Sequence, residues 1–214
     1  MRMKSPRTPG GNSVIQAPFS FFGPRVPAGA YTVKLTKGSQ TLASQVQLVP
    51  DPRSTHTAED RKLQYDTVMK LHGMMERLTY VVDATLGARD ALKQRAEALP
   101  QNDKLRKQLE SLAGELTKLH ATLAATSEGG WLSGEEQLRE KLGYLYGGVN
   151  GYEGRPTRSQ LDQMGVLEAR LGQAASKLEA IAKGELAAVN KSLTARKLEP
   201  VNLLTEEEWK KKGQ

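Results

Sequence analysis

The chain of 214 residues contains no cysteine and few aromatic residues. The lack of cysteine excludes disulfides, thiolate zinc sites and a cysteine nucleophile, but it does not distinguish a cytoplasmic from a periplasmic protein. Aromatic residues make up 5% of the chain, against 38% hydrophobic residues overall. We therefore expect a core built from Leu, Ala, Val and Met, which is typical of helical bundles.

Long apolar runs are absent as well. A membrane-spanning helix needs about 20 consecutive apolar residues, and the sequence has no such run. The short apolar stretch at residues 14–22 is interrupted by Gln16, Pro18 and Ser20. We expect no membrane span and no cleavable export signal, and the compartment stays open.

Acidic residues are scarce at the amino-terminal end. The net charge is +7, and residues 1–53 carry seven Lys or Arg against one acid, Asp51. This charge lies in a Pro/Gly-rich arm and a strand pair rather than on a helical face, so a solvated arm or a protected strand edge is expected. The alternative function is binding of the basic arm to nucleic acid or to an anionic surface. Nucleic acid is not a favoured partner, because the charge is not concentrated on a folded face.

Two strands are predicted around Lys37-Gly38-Ser39, within residues 23–53. Residues 30–35 and 41–49 alternate apolar and polar side chains, so each strand has one apolar face. This pattern resembles the last hairpin of a β-sandwich whose earlier strands are absent. Because an isolated hairpin is marginally stable, it must dock on the rest of the chain, pair with another copy, or belong to a longer parent protein. Val46 and Leu48 are the candidate contact residues at the strand edge.

Helical periodicity begins after residues 50–52, Pro-Asp-Pro. Thr57 with Asp60 predicts a cap for a helix over residues 58–99, and leucines at steps of four and three predict a second helix over 105–123. Ser133 with Glu136 predicts the cap of a short third helix. Thr157 with Gln160 opens a fourth helix that continues to about residue 193.

The predicted fold is mainly α: an elongated antiparallel bundle of three to four helices over residues 54–200, with an N-terminal β-hairpin. Helices two and three together match the length of one long helix, so they are expected to lie end to end. Residues 1–22 are predicted to be a disordered or extended arm. Residues 201–214 form a tail with a short helix capped by Thr205 and Glu208.

No residue set predicts catalysis. None of the three histidines has a partner at the spacing of a zinc-binding helix, and the glycine-rich stretch 143–154 follows a helix and lacks a phosphate-binding signature. No cofactor or metal is therefore expected. Aromatic residues cluster near this stretch, and such clusters more often form a satellite core than a ligand platform. If the bundle has an interaction surface, they mark it; they are Trp131, Tyr144, Tyr146 and Tyr152.

Several segments resemble one known family. They are residues 23–35 (GPRVPAGAYTVKL), residues 49–53 (VPDPR), residues 138–142 (LREKL), and Pro156-Thr157 before a long helix. Together they are similar to the C-terminal region of bacterial sortilin-like exo-proteins with a BNR-repeat, "glycosyl hydrolase-like" β-propeller. The resemblance implies an Ig-like sandwich remnant followed by a helical bundle, from a truncated, split or separately encoded relative.

That resemblance also implies a location and a partner. Members of the family are generally exported, which implies a periplasmic or secreted protein, and the parent β-propeller is the implied partner. The propeller itself is missing from this chain, so its activity does not transfer. We expect a non-catalytic structural or protein-interaction module; pairing of two copies through the hairpin edge is a further expectation. A glycosidase would need two carboxylates facing each other across a cleft, and the sequence suggests no such pair.

Overall fold

The structure, a computed structural model, describes residues 1–10, 21–127 and 135–212. It is mainly helical with an N-terminal hairpin, as predicted. The strands are β1 (Gly29–Lys37) and β2 (Gln40–Leu48). The helices are α1 (Ala58–Glu97), α2 (Lys104–Leu123), α3 (Leu138–Gly151), α4 (Arg158–Ile181), α5 (Ala187–Ala195) and α6 (Glu206–Lys212), with a π-helical segment (Ala182–Leu186) joining α4 to α5.

The bundle is three helices thick. α1 runs in one direction, α2 and α3 follow one another in the opposite direction beside it, and α4 with α5 returns parallel to α1. Arg155 pairs with Asp60 at one end of the bundle, and Arg196 pairs with Asp103 at the other. The 40 residues of α1 span about 60 Å. The expectation that helices two and three lie end to end is therefore confirmed.

Three of the four predicted caps are found at helix starts, those of Thr57, Thr157 and Thr205. Thr57 accepts from the Asp60 amide at 3.1 Å while Asp60 accepts from Thr57, and Thr157 forms the same reciprocal box with Gln160. The start of α3 differs. Ser133 lies outside the described residues, and the capping partner across the first turn is Glu140, which accepts from the Gln137 amide at 2.9 Å. The predicted box was wrong because Gln137 and Glu140 have the same three-residue spacing four positions later.

The leucine stripes form one continuous core. All six leucines of the predicted α2 stripe are at most 2% exposed. In the fourth helix the apolar spacing jumps by five residues, from Ile181 to Leu186, and both side chains are buried. The π-helical segment lies at this step, since a π turn accommodates one more residue than an α turn. The wider turn keeps Leu186 on the core side.

The hairpin closes through a two-residue turn, Gly38-Ser39, between Lys37 and Gln40. Gly38 has a φ of 60°, a left-handed conformation that glycine adopts without steric cost. Of the three alternatives for this hairpin, docking on the helices is not observed among the described residues, because the strands are exposed on both faces along most of their length. Within residues 1–10, 21–127 and 135–212, the two strands form a sheet of their own, so each has an open edge there.

Candidate protein-interaction surface

One face of the hairpin is apolar and uncovered. Antiparallel pairing places Tyr31 opposite Val46 and Leu35 opposite Leu42 on the same side of the sheet. Leu35 is 65% exposed and Leu42 is 69% exposed. We call this side the apolar hairpin face; its members are Tyr31, Val33, Leu35, Leu42, Val46 and Leu48.

The opposite face is polar and makes its own hydrogen bonds. The Gln45 amide donates to the Thr32 hydroxyl at 3.1 Å, and the Thr36 and Thr41 hydroxyls lie 3.3 Å apart. Cross-strand pairs of this kind stabilise a water-facing sheet surface. The hairpin therefore has one face suited to water and one suited to burial.

The base of the hairpin is held firmly on α3. We call residues 22–26 the stem. The Tyr146 hydroxyl donates to the Phe22 carbonyl at 2.7 Å, and the Asn150 amide donates to the same oxygen at 2.9 Å. Arg25 forms an ion pair with Glu153 just beyond the end of α3. The stem is thus anchored while the strands beyond it project into solvent.

Among the described residues, the predicted aromatic residues do not form one surface. Tyr146 is fully buried, so it was wrongly assigned to a recognition surface; burial raises its pKa to about 12. Tyr144 is half-buried, and Trp131 lies outside the described residues. Tyr152 is 57% exposed and packs edge-on against His56, with ring centroids 5.5 Å apart. Aromatic composition alone did not separate the buried anchor Tyr146 from the exposed Tyr152.

Residues 1–10, which we call the N-terminal arm, lie extended against the bundle and the stem. The Met3 amide donates to the Pro24 carbonyl at 2.7 Å, and the Val26 amide donates to the Met1 carbonyl at 3.3 Å. Arg2 donates to the Gly23 carbonyl at 2.8 Å. The arm therefore supports the hairpin stem and continues along α1 and α3.

Arg7 makes the most elaborate contact of the arm. Its guanidinium bonds Glu76 through Nε at 2.9 Å and Nη2 at 2.6 Å, and its Cζ lies 3.2 Å from the centre of the Trp209 ring. Burial acts to raise the pKa of Glu76, but the hydrogen bonds from Arg7 outweigh it and hold that pKa below its usual value. Trp209 is oriented by Asp83, which accepts its indole N–H at 2.7 Å. The contact of Arg7 with Glu76 and Trp209 was not predicted from the sequence. The signal that the sequence offers is Trp209 within a highly charged tail.

Three arginines of the basic amino-terminal region form ion pairs with acidic residues of the chain. Arg7 pairs with Glu76, Arg25 with Glu153 and Arg53 with Asp51. On the strands, Lys34 and Lys37 form no ion pair with any residue that the structure describes. Three of the seven basic residues in residues 1–53 are thus in ion pairs with acidic residues of the chain.

The described residues contain neither a metal-binding cluster nor a membrane-spanning helix. In residues 1–10, 21–127 and 135–212, no group of three or more His, Asp or Glu side chains is arranged to hold a metal ion. Among the helices that the structure describes, none has the length and apolar content to cross a membrane. Comparison of the chain with protein-family models, curated proteins and solved structures found no match.

Proposed function

We propose that the chain is a non-catalytic protein-interaction module whose helical bundle presents the apolar hairpin face to a partner protein. The observation that carries the proposal is the contrast between the anchored stem and the exposed strands. Tyr146 and Asn150 hold the stem, while Leu35 and Leu42 remain largely exposed. Apolar side chains at this exposure favour burial against another surface.

The size of the hairpin limits the kind of partner. Nine-residue strands span about 30 Å, and two strands are about 10 Å wide, which gives a face of about 300 Å². At about 25 cal/mol per Å² of apolar area, its burial contributes at most about 7 kcal/mol, because Ser44 and Gln40 share this side of the sheet, and the cost of association is about 4–15 kcal/mol. The face alone therefore supports only a weak complex. A partner with β-strands adds main-chain hydrogen bonds at the open edges, so we propose a β-sheet protein.

The positive charge of the hairpin region narrows the class of partner protein further. Residues 1–50 contain no Asp or Glu, and the strands carry Lys34 and Lys37. A partner sheet with an apolar centre and acidic residues around it complements this hairpin. The sequence resembles the C-terminal region of sortilin-like β-propeller proteins, so a β-propeller protein of that kind is the partner class that we propose to test first.

Photocrosslinking from adjacent positions tests the proposal. Leu35 and Thr36 are neighbours in β1 but lie on opposite faces, so a photoreactive phenylalanine analogue at either position samples the same region from two sides. We expect an adduct from position 35, with a β-sheet protein identified by mass spectrometry and reproduced with the purified partner. Position 36 is expected to give little adduct. Equal yield from both faces, or no adduct, would contradict the proposal.

A second pair of variants controls for non-specific hydrophobic association. In the chain carrying the crosslinker at position 35, Leu42→Ser removes apolar area from the same face, whereas Thr41→Ser changes the polar face. We expect adduct yield to fall severalfold with Leu42→Ser only. An adduct of twice the chain mass would instead identify a second copy as the partner, the homodimer considered above. The non-catalytic part of the proposal also predicts no turnover of aryl glycosides.

A further inference from the structure

The N-terminal arm lies on α1 and α3 like a peptide in a binding groove. Side chains of the helices bond its main-chain carbonyls at intervals: His72 Nε2 lies 3.3 Å from the Lys4 oxygen, Thr79 donates to the Arg7 oxygen at 2.9 Å, and Arg139 Nε donates to the Pro9 oxygen at 2.8 Å. These three contacts span six residues of the arm. They recognise an extended main chain whatever its side chains are.

The segment in the groove has the spacing of a polyproline II ligand. Pro6 and Pro9 are both buried, while Lys4, Ser5 and Gly10 are exposed. A polyproline II helix has three residues per turn, so prolines three apart face the same side. Because proline fixes its own φ, such a segment loses little conformational freedom on binding.

Arg7 occupies a pocket built for a guanidinium group. Glu76 accepts from the Arg7 main-chain amide at 2.5 Å as well as from its side chain, the Trp209 carbonyl accepts from Nη1 at 3.3 Å, and the Trp209 ring covers the guanidinium plane. Lysine cannot reproduce this planar, multiply bonded arrangement. The pocket thus selects arginine between two prolines.

From this geometry we infer that the groove formed by α1, α3 and α6 is a binding site for a proline-rich, arginine-bearing segment of a partner protein, and that the arm occupies it until that segment displaces it. The arm is held mainly by polar contacts, and only its two prolines are buried, so it belongs to the parts of the fold that open locally without global unfolding. The arm is a replaceable occupant rather than part of the core.

A partner segment fits this role better than the arm of a second copy. A second copy's arm has the same sequence and competes with a tethered arm whose effective concentration is in the millimolar range, on the order of tethered ligands in general. A segment of different sequence competes with the same tethered arm, but it can bind the groove more tightly than the arm's own sequence does. Because Met1 and Met3 bond Val26 and Pro24, displacement of the arm would also remove one support of the hairpin stem.

Fluorescence anisotropy with a labelled peptide tests the inference. The probe is MRMKSPRTPG, the sequence of residues 1–10, labelled at its C-terminus, and the receptor is the full chain carrying Arg7→Ala, which weakens its own arm. We expect this receptor to bind the probe at least tenfold more tightly than the wild-type chain does. The same receptor with Glu76→Gln added is expected to lose at least tenfold. A probe with lysine in place of the arginine keeps its charge and is expected to bind at least tenfold more weakly.

Several results would overturn the inference. They are no binding by the Arg7→Ala chain at millimolar concentration, equal binding of the arginine and lysine probes, and equal binding by the Glu76→Gln receptor. If Glu76→Gln prevents folding, as judged by circular dichroism, Trp209→Leu on α6 tests the same pocket. A wild-type dimer in sedimentation velocity that Arg7→Ala abolishes would assign the groove to arm exchange and overturn the partner assignment. None of these variants alters the apolar hairpin face, so failure here is distinguishable from failure of the proposed function.

Discussion

The helical bundle and the hairpin both carry a regular apolar pattern, but only the bundle covers its own. Leu78 and Leu109 are fully buried between helices, whereas Leu35 and Leu42 are each about two-thirds exposed. The difference arises because each helix stripe meets a complementary stripe on another helix, while the hairpin face meets no counterpart among the described residues. Apolar patterning thus stabilises the fold in one region and is left available for binding in the other.

The largest effect that follows from this comparison concerns the core. Leu109→Ala removes a fully buried side chain from the bundle, and we expect the free energy of unfolding to fall by about 3 kcal/mol. Leu42→Ala on the hairpin removes the same atoms from an exposed position and is expected to change that free energy by less than about 0.5 kcal/mol. Urea denaturation of both variants measures the difference. Equal losses would show that the hairpin face is buried in solution.

A smaller effect concerns the joint between the two regions. Tyr146→Phe removes the hydroxyl that bonds the Phe22 carbonyl, which keeps the Asn150 amide as a donor, so we expect a loss of about 1 kcal/mol. Amide hydrogen exchange at residues 22–26 should accelerate while exchange in α2 stays unchanged. Tyr152→Phe is the matched control, because its exposed hydroxyl lies 3.3 Å from His56 Nε2 rather than at the stem. Identical exchange in both variants would remove Tyr146 as an anchor.

The smallest effect is a local pH dependence at Glu135. Hydrogen bonds from the Gln137 side chain and from Thr126 and Ser127 lower the pKa of Glu135 from 4.5 to about 2. A lowered pKa means that these bonds contribute fully above about pH 4.5 and are lost as the pH falls towards 2. The Ser127 amide NMR shift should therefore titrate near pH 2 rather than near 4.5. Glu135→Gln should abolish this titration, and a midpoint near 4.5 would contradict the assignment.

The parts of the fold that could be predicted are those encoded locally. The α2 leucine stripe and the boxes at Thr57 and Thr157 depend on residues a few positions apart, so the sequence displays them directly. The groove could not be predicted in this way. Arg7 meets Glu76, which is 69 positions away, and Trp209, which is 202 positions away, and no periodic pattern connects such residues.

The hairpin illustrates the other limit of sequence reasoning. Alternation correctly predicted two strands with one apolar face, and the two-residue turn lies at the predicted position. The same alternation carries no information on what covers that face, so docking on the helices was as compatible with the pattern as exposure. Tyr146 shows the same limit for a buried residue. A buried tyrosine and a surface tyrosine have the same local sequence pattern, so the sequence did not show that Tyr146 is buried.

The π-helical segment has a consequence for both ends of the molecule. Asn190 lies just after it and grips Val201 with two hydrogen bonds, of 2.9 Å from its amide and 2.8 Å to its oxygen. Shortening the segment by one residue would turn Asn190 by about 100° around the helix axis. The residues after α5 would then run in a different direction, which would move Trp209 away from Arg7. The extra residue in the π-helical segment therefore helps to place Trp209 of α6 over Arg7 of the N-terminal arm.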